Sequence, residues 1–395
     1  MIKTTTHVLA AVFLSTLVAV ASCNSGKPKS DAADSTKKVQ TQKVDTSFKE
    51  NIYNETARYI SGLPQNGNNQ FSALESNKRW QKYAAEADTS WSKIYRERLD
   101  KMQDFGKSEL GSATGKIQTL FYPFSGPDIL NVYQFYPNAQ QYVMFGLEPN
   151  GTFPDVGNLQ KDTTLKYITK IKEALQTMLA TSFFKTKEMR VQEHTQDLDG
   201  QLPIIALFIT RIHARINNFE KVYVDNTGKL QVAGNEKQDS VNVYGVRLTF
   251  TPANSSETKT VTYFSTNISD NGFNKHPNFK TYLVSLDAPT TYVKSASYLM
   301  FLPGFSTIRG IILDHSAVVL EDDSGIPVKY FTDDKWNKIF YGMYTKPIDL
   351  FNNDYQQDLR DIYTQKKYTV KPLTFGIGYN YNLAETHLML FQRKK

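Results

Sequence analysis

The sequence predicts an α/β protein built on a mixed sheet with two βαβ units, preceded by a helical N-terminal region. Three observations carry that prediction. Between residues 71 and 105, Leu74, Trp80, Tyr83, Ala87, Trp91, Ile94, Tyr95, Leu99 and Met102 recur at three- and four-residue steps, the spacing of an apolar helix face. The segments at 116–124 (KIQTLFYPF), 129–136 and 142–147 read as strand, helix and strand, with turn or breaker residues between them. The same order returns at 291–297, 305–314 and 317–320. Little identity links the two copies, so the repeat is either a degenerate internal duplication or a chance recurrence of a common unit.

The chain has 395 residues, 40% of them hydrophobic, which is enough to bury one large core or two smaller ones. Lys and Arg total 46 against 39 Asp and Glu, and the resulting +7 is not gathered into one basic block, so no nucleic-acid partner is implied. A single cysteine, Cys23, excludes an intrachain disulfide and any Cys-based zinc or iron–sulfur site.

The N-terminus reads as an address. Lys3 precedes an apolar stretch from Val8 to Ala21, of signal-peptide length and too short for a membrane span. It ends in Val20-Ala21-Ser22-Cys23, which looks like a lipobox with the only cysteine at the position such a motif lipidates. Several acyl chains at Cys23 would hold the mature protein on a membrane, its partner through that residue. Asn24 stands where an inner-membrane retention signal carries Asp, and Ser25-Gly26-Lys27-Pro28-Lys29 replaces the acidic run of a surface-export signal. The expected location is therefore the outer membrane, facing the periplasm. Four segments follow: a signal peptide at 1–22, the lipidated cysteine and a polar tether at 23–50, a helical region at 51–110, and an α/β body at 111–395.

Within the body, helices are expected at 165–187 and 202–217, the latter buried around Ile204 to Ile209. Strands are expected at 219–225, 241–251 and 258–266, with Asn226-Thr227-Gly228 as a hairpin turn. A short apolar segment at 328–331, a helix near 354–363 and strands at 373–380 and 386–392 complete the chain. Trp80 and Trp91 are either groove residues or, as their helical spacing favours, core anchors.

Ligands of open α/β sheets bind outside the carboxyl ends of the strands, where the polar residues of both units fall. Ser125, Gly126, Asp128 and Glu148 occupy those ends in the first unit; Lys294, Ser295, Ser297, Asp322, Asp323 and Ser324 occupy them in the second. Arg309, Lys294 and Tyr298 are candidates for anion recognition. The first unit is Rossmann-like: a glycine turn, with Glu148 where an acid would take ribose hydroxyls. SGPD has only one glycine, however, and Pro127 lacks the N–H a phosphate needs, so a turn and helix cap is the expected role and no cofactor is assigned. Asp322 and Asp323 could do acid–base work or hold Ca²⁺ or Mg²⁺, but strand neighbours face opposite ways and Asp-Ser-Gly is turn chemistry. Ser125 and Ser297 lack a nucleophile motif. His315 and the other mature histidines His194, His213, His276 and His387 form none, and His194-x-x-Asp197-x-Asp199 lacks the further ligands of a calcium loop. No metal site and no catalytic residue are assigned.

Residues 116–393 carry Tyr122-Pro123-Phe124-Ser125-Gly126-Pro127-Asp128, Gly146-Leu147-Glu148-Pro149, Lys294-Ser295-Ala296-Ser297-Tyr298-Leu299, Asp322-Asp323-Ser324-Gly325-Ile326-Pro327, Tyr341-Gly342-x-Tyr344-x-x-Pro347-Ile348 and Phe375-Gly376-Ile377-Gly378-Tyr379. In this set the chain resembles an uncharacterised family of bacterial secreted proteins and lipoproteins, a resemblance that implies relatives but no activity. The functional expectation is a lipid-anchored protein whose cleft binds a small molecule or envelope component. The alternatives are a hydrolase or transferase using the strand-end carboxylates, and a structural or assembly factor of the envelope.

Overall fold

The structure is a computed structural model that describes residues 51–65, 70–111, 117–156, 162–166, 168–169, 171–172, 200–234, 239–365 and 368–395. The signal peptide, Cys23, the tether, most of the helix expected at 165–187 and the His194 segment lie outside the described residues.

The helical region comprises α1 (Ile52–Ile60), α2 (Ser72–Glu75), α3 (Lys78–Ile94) and α4 (Asp100–Phe105), with wide helical turns after α3 and α4. Asn51 and Asn77 cap α1 and α3 by accepting from the backbone two residues on. Trp80 stacks on Tyr59 and Trp91 meets Phe208 edge-on, so both tryptophans anchor the core.

The body follows as β1 (Thr119–Tyr122), α5 (Ile129–Phe135), β2 (Gln141–Gly146), α6 (Leu202–Arg211), β3 (Ala214–Val224), β4 (Leu230–Val232), β5 (Val243–Pro252), β6 (Lys259–Ser265), α7 (Asp270–Lys275), α8 (Pro277–Val284), β7 (Thr290–Val293), α9 (Ser306–His315), β8 (Val318–Glu321), β9 (Trp336–Gly342), α10 (Gln357–Thr364), β10 (Val370–Lys371) and β11 (His387–Arg393). These strands form one sheet in the order β10-β9-β11-β8-β7-β1-β2-β6-β5-β3-β4. Its centre, β8-β7-β1-β2-β6, is entirely parallel, and antiparallel pairs flank it at β11–β8 and β5–β6.

Both βαβ units are present, β1-α5-β2 and β7-α9-β8, and each joins adjacent parallel strands. From β1 the chain winds outward through β2 to β6, then returns to β7 on the other side of β1 and winds outward again to β8. The direction therefore reverses between β1 and β7, which is the crevice-forming switch point of a doubly wound sheet.

Alternate residues of the central strands feed two cores, because side chains one apart leave a strand on opposite faces. Leu120, Tyr122, Tyr142, Met144, Leu388 and Leu390 pack with α1, α3, α5 and α6. Phe121, Val143, Phe145, Val319, Met389 and Phe391 pack with α7, α8, α9 and α10. With both faces covered, β1, β7 and β8 are buried at every position, as central parallel strands are.

Three expectations are corrected. The helix from Leu202 stops at Arg211, since His213 takes a left-handed φ of 59° and Ala214 already begins β3. Residues 373–380 are loop instead of strand: Gly378 has φ 71°, and a Cβ on Gly376 would meet the Tyr381 carbonyl at 1.7 Å. The strand partnering β11 is instead β9, which the local sequence pattern does not mark as a strand. Residues 328–330 form a single tight helical turn. Among the described residues no helix is long and apolar enough to cross a membrane.

Candidate functional site

The carboxyl ends of β1, β2, β6 and β7 surround a cleft of about 280 Å³, directly above the switch point. Its apolar wall comes from Phe124, Phe145, Ile268, Leu299 and Phe305. Polar groups reach it from the loops after each strand.

After β1 the chain turns sharply through Phe124 (φ 57°) and Gly126 (φ 52°). A Cβ at Gly126 would meet nothing within 4 Å, so glycine is needed there for its backbone angle and leaves open space on the cleft side. Ser125 ties the turn to β2: its N–H donates to the Phe145 carbonyl, and its hydroxyl reaches the carbonyls of Gly126 and Phe145.

Asp128 then caps α5, its Oδ1 accepting from the Asn131 N–H and Nδ2 at 3.2 and 2.8 Å. Its Oδ2 accepts from the Tyr122 hydroxyl at 3.0 Å and lies 2.6 Å from Lys294 Nζ at the end of β7. The side chains of Asp128 and Lys294 are only 1% and 2% exposed, so the pair spans the switch point in a desolvated setting. Burial first, then the Asp128 charge, pushes the Tyr122 phenol up and keeps it a proton donor.

Glu148 follows β2. It is 7% exposed, lines the cleft, and its carboxylate makes no hydrogen bond or ion pair to a described residue. Gly146 makes room for it, since a Cβ there would lie 2.5 Å from Glu148 Oε2 and 2.7 Å from the Tyr263 hydroxyl. That hydroxyl donates to the Glu148 carbonyl and fixes the backbone of the residue.

The loop after β7 carries three left-handed residues, Ser295, Ser297 and Tyr298, at φ 52°, 52° and 54°. Such backbone persists only when its surroundings hold it. Here Asp322 Oδ2 accepts from the Ser295 N–H at 2.9 Å, while Ser324 Oγ accepts from the Ala296 N–H and donates to Asp322 Oδ1. The Tyr379 hydroxyl donates to the Ser295 carbonyl, so Ser297 Oγ must donate to it in turn. Gly378 lets this segment press on Asp322, because a Cβ there would lie 2.3 Å from Oδ2. The Ser295 hydroxyl, buried at the cleft wall, has no partner.

Behind the loop, Glu321, Asp322 and Asp323 are three consecutive buried acids. Asp323 accepts from the Tyr298 hydroxyl at 2.5 Å and lies 3.2 Å from His387 Nε2. His387 Nδ1 faces the Glu385 carbonyl, so it carries a hydrogen; Nε2 accepts from the Asp323 N–H when the ring is neutral and donates to the carboxylate when it is charged. Burial opposes the charge on His387, but Asp323 outweighs it and its pKa is raised. Burial and then the neighbouring Asp323 lift Asp322 to about 6, and burial holds Glu321 well above the ordinary carboxylate range.

Of the sequence candidates, the structure brings Ser125, Gly126, Asp128, Glu148, Lys294 and Ser297 to one cleft. Asp322, Ser324, Tyr298 and Asp323 stand behind it as braces. Arg309 points elsewhere: its guanidinium donates to the Met300 carbonyl and lies over the Tyr330 ring at 4.7 Å, so it does not serve the cleft. Asn267, Thr266, Phe305 and Tyr379 line the cleft without having been singled out; only the position of 266–267 after a strand could have signalled the first two.

Among the described residues no serine hydroxyl is hydrogen bonded to a histidine, and no three His, Cys, Asp or Glu side chains are placed to hold a metal ion. His315, half-buried at the end of α9, joins no such group. The arrangement offers a buried acceptor, a neutralised lysine and hydroxyl groups: it can orient and desolvate a polar ligand. Comparison with known proteins returns no matching family model, no matching curated protein and no matching solved structure.

The three raised groups predict a pH dependence. A group that holds its proton more tightly folded than unfolded adds stability below its unfolded pKa and loses it as pH rises through the folded one. Asp322 therefore favours the folded state more at pH 5 than at pH 8, and Glu321 and His387 act in the same sense. In denaturant titrations at the two pH values, Asp322→Asn should remove about 1 kcal/mol of the gain at pH 5; an unchanged gain would refute the assignment.

Proposed function

We propose that the protein is a lipid-anchored member of the bacterial lipoprotein family described above, held through Cys23 on the outer membrane and facing the periplasm. Its α/β body binds a small hydroxyl-bearing molecule, free or part of an envelope component, without transforming it.

One observation carries the binding reading: Glu148, nine-tenths buried and with no partner for its carboxylate among the described residues, lines the cleft. The Ser295 hydroxyl, buried at the same wall, also lacks a partner, a deficit of about 1–3 kcal/mol that a polar group of a ligand recovers on binding. The hydroxyls of Ser125 and Ser297 are engaged by carbonyls and by Tyr379, and among the described residues no histidine is hydrogen bonded to them, which favours recognition over acyl or group transfer. A second reading, an assembly factor, draws on the exposed side chains of Met343, Leu350, Tyr381 and Leu383, on two loops joined by the Asn380 Nδ2 to Lys346 carbonyl hydrogen bond.

Two outcomes are expected. Cys23→Ala should move the protein from the membrane fraction to the soluble periplasmic fraction and abolish incorporation of labelled palmitate; retention on the membrane would contradict the anchor. In thermal unfolding of the purified full chain against glucose, ribose, glycerol, ribonucleosides and peptidoglycan fragments, at least one hydroxyl-rich compound should raise the midpoint. Glu148→Gln should weaken that compound about tenfold, as expected for losing a charged hydrogen bond. An unmoved midpoint across the panel contradicts the binding reading and favours the assembly factor.

A further inference from the structure

Resting on the reading of the cleft as a binding site, we infer that its ligand is a ribonucleoside without a 5′-phosphate, uncharged or cationic at that position. Four observations narrow the class.

The first is topology. The five central strands wind outward in both directions from β1 and β7, and the cleft lies over the reversal. In the dinucleotide-binding sheets wound this way the glycine turn after the first strand meets the phosphates, and an acid about 20 residues on takes the ribose hydroxyls. Here Glu148 follows Gly126 by 22 residues and lies two residues past the end of the second strand.

The second is the state of that acid. Its carboxylate has two oxygens and no described partner, beside Gly146, whose missing Cβ leaves the space that Oε2 occupies. Two acceptor oxygens on one carboxylate fit two adjacent hydroxyl donors, the 2′ and 3′ hydroxyls of ribose.

The third is the start of α5, where a phosphate would sit. Pro127 has no N–H to give. The N–H groups of Asp128, Ile129 and Asn131 are spent on the Ser125 carbonyl, the Pro127 carbonyl and Asp128 Oδ1. The Asp128 carboxylate itself fills the cap, and Lys294, the cation that could have met a phosphate, is already paired with it at 2.6 Å. An anion would find these three N–H groups and the Lys294 charge already engaged. A neutral or positive 5′ substituent needs none of them.

The fourth is size. At about 280 Å³ the cleft lies at or just below the lower end of the range for small-molecule pockets, about 300–1,000 Å³, so it suits a nucleoside and not a dinucleotide. Phe124, Phe145, Ile268 and Leu299 supply the apolar wall a base would need.

Calorimetric titration of the purified full chain tests the class with adenosine, guanosine, cytidine, uridine, 2′-deoxyadenosine, 5′-amino-5′-deoxyadenosine, AMP and ribose. At least one ribonucleoside should bind, and adenosine is used for the series when it is among them; otherwise the 2′-deoxy, 5′-amino and 5′-phosphate forms of the bound nucleoside replace it. Removal of the 2′-hydroxyl should weaken binding at least tenfold, the 5′-amino form should bind at least as tightly as the parent, and the 5′-phosphate at least tenfold more weakly. Glu148→Gln, checked for an unchanged unfolding midpoint, should abolish the preference for the 2′-hydroxyl while Ser297→Ala keeps it. Equal binding of ribo- and deoxyribonucleoside, or a 5′-phosphate binding as well as the parent, overturns the inference. If no nucleoside binds but a sugar or envelope fragment raises the unfolding midpoint, the nucleoside class falls and the binding cleft stands; if nothing binds, both fall.

Discussion

The ion pair between Lys294 and Asp128 is the constraint on which the rest of the site depends. Two charges taken out of water cost several kcal/mol each, which only close contact and further hydrogen bonds offset, and these meet at 2.6 Å across the point where the sheet reverses its winding. The pair fixes more than itself. Asp128 also caps α5 and holds Tyr122, so the turn after β1, the first helix of the unit and the end of β7 are tied to one carboxylate. The Arg98 charge also acts on Asp128. With Asp128 committed, the other acid of the cleft, Glu148, faces a ligand with no described partner of its own.

A second layer of carboxylates holds the opposite wall. The loop after β7 adopts left-handed backbone at Ser295, Ser297 and Tyr298, and its shape is set by acceptors waiting behind it: Asp322 for the Ser295 N–H, Ser324 for that of Ala296, Asp323 for the Tyr298 hydroxyl. Those acids are buried in turn, which raises the protonation pKa of Asp322 and Glu321 and brings His387 into play as the counter-group of Asp323. Gly378 belongs to the same device, because only a residue without a side chain can lie so close to Asp322.

Much of this was legible in the sequence, and the failures have physical causes. The β1-α5-β2 unit could be read because its apolar runs are interrupted by SGPD, where proline, glycine and a capping aspartate each do what their chemistry dictates. The segment FGIGYNY misled because alternating aromatic and small residues imitate a strand, whereas its glycines serve a left-handed turn and close contacts with Asp322 and Tyr381. β9 was missed: Trp336, Phe340 and Tyr341 are buried while Asn337 is exposed and Lys338 and Ile339 are intermediate, so its apolar positions do not alternate cleanly. Arg309 was chosen for its charge, but helical geometry turns it toward the Met300 carbonyl and Tyr330. Partnering such as that of Lys294 with Asp128, 166 residues apart, leaves no mark in local sequence.

The central claim is that this ion pair organises the switch point, and a double-mutant cycle measures it most directly. Chemical denaturation of the parent chain, Lys294→Met, Asp128→Asn and the double variant yields the coupling free energy between the two side chains. The account predicts that Lys294→Met alone is strongly destabilising, that the double variant recovers part of the loss, and that the coupling is about 1–3 kcal/mol. Additive effects of the two substitutions, with coupling near zero, would contradict it.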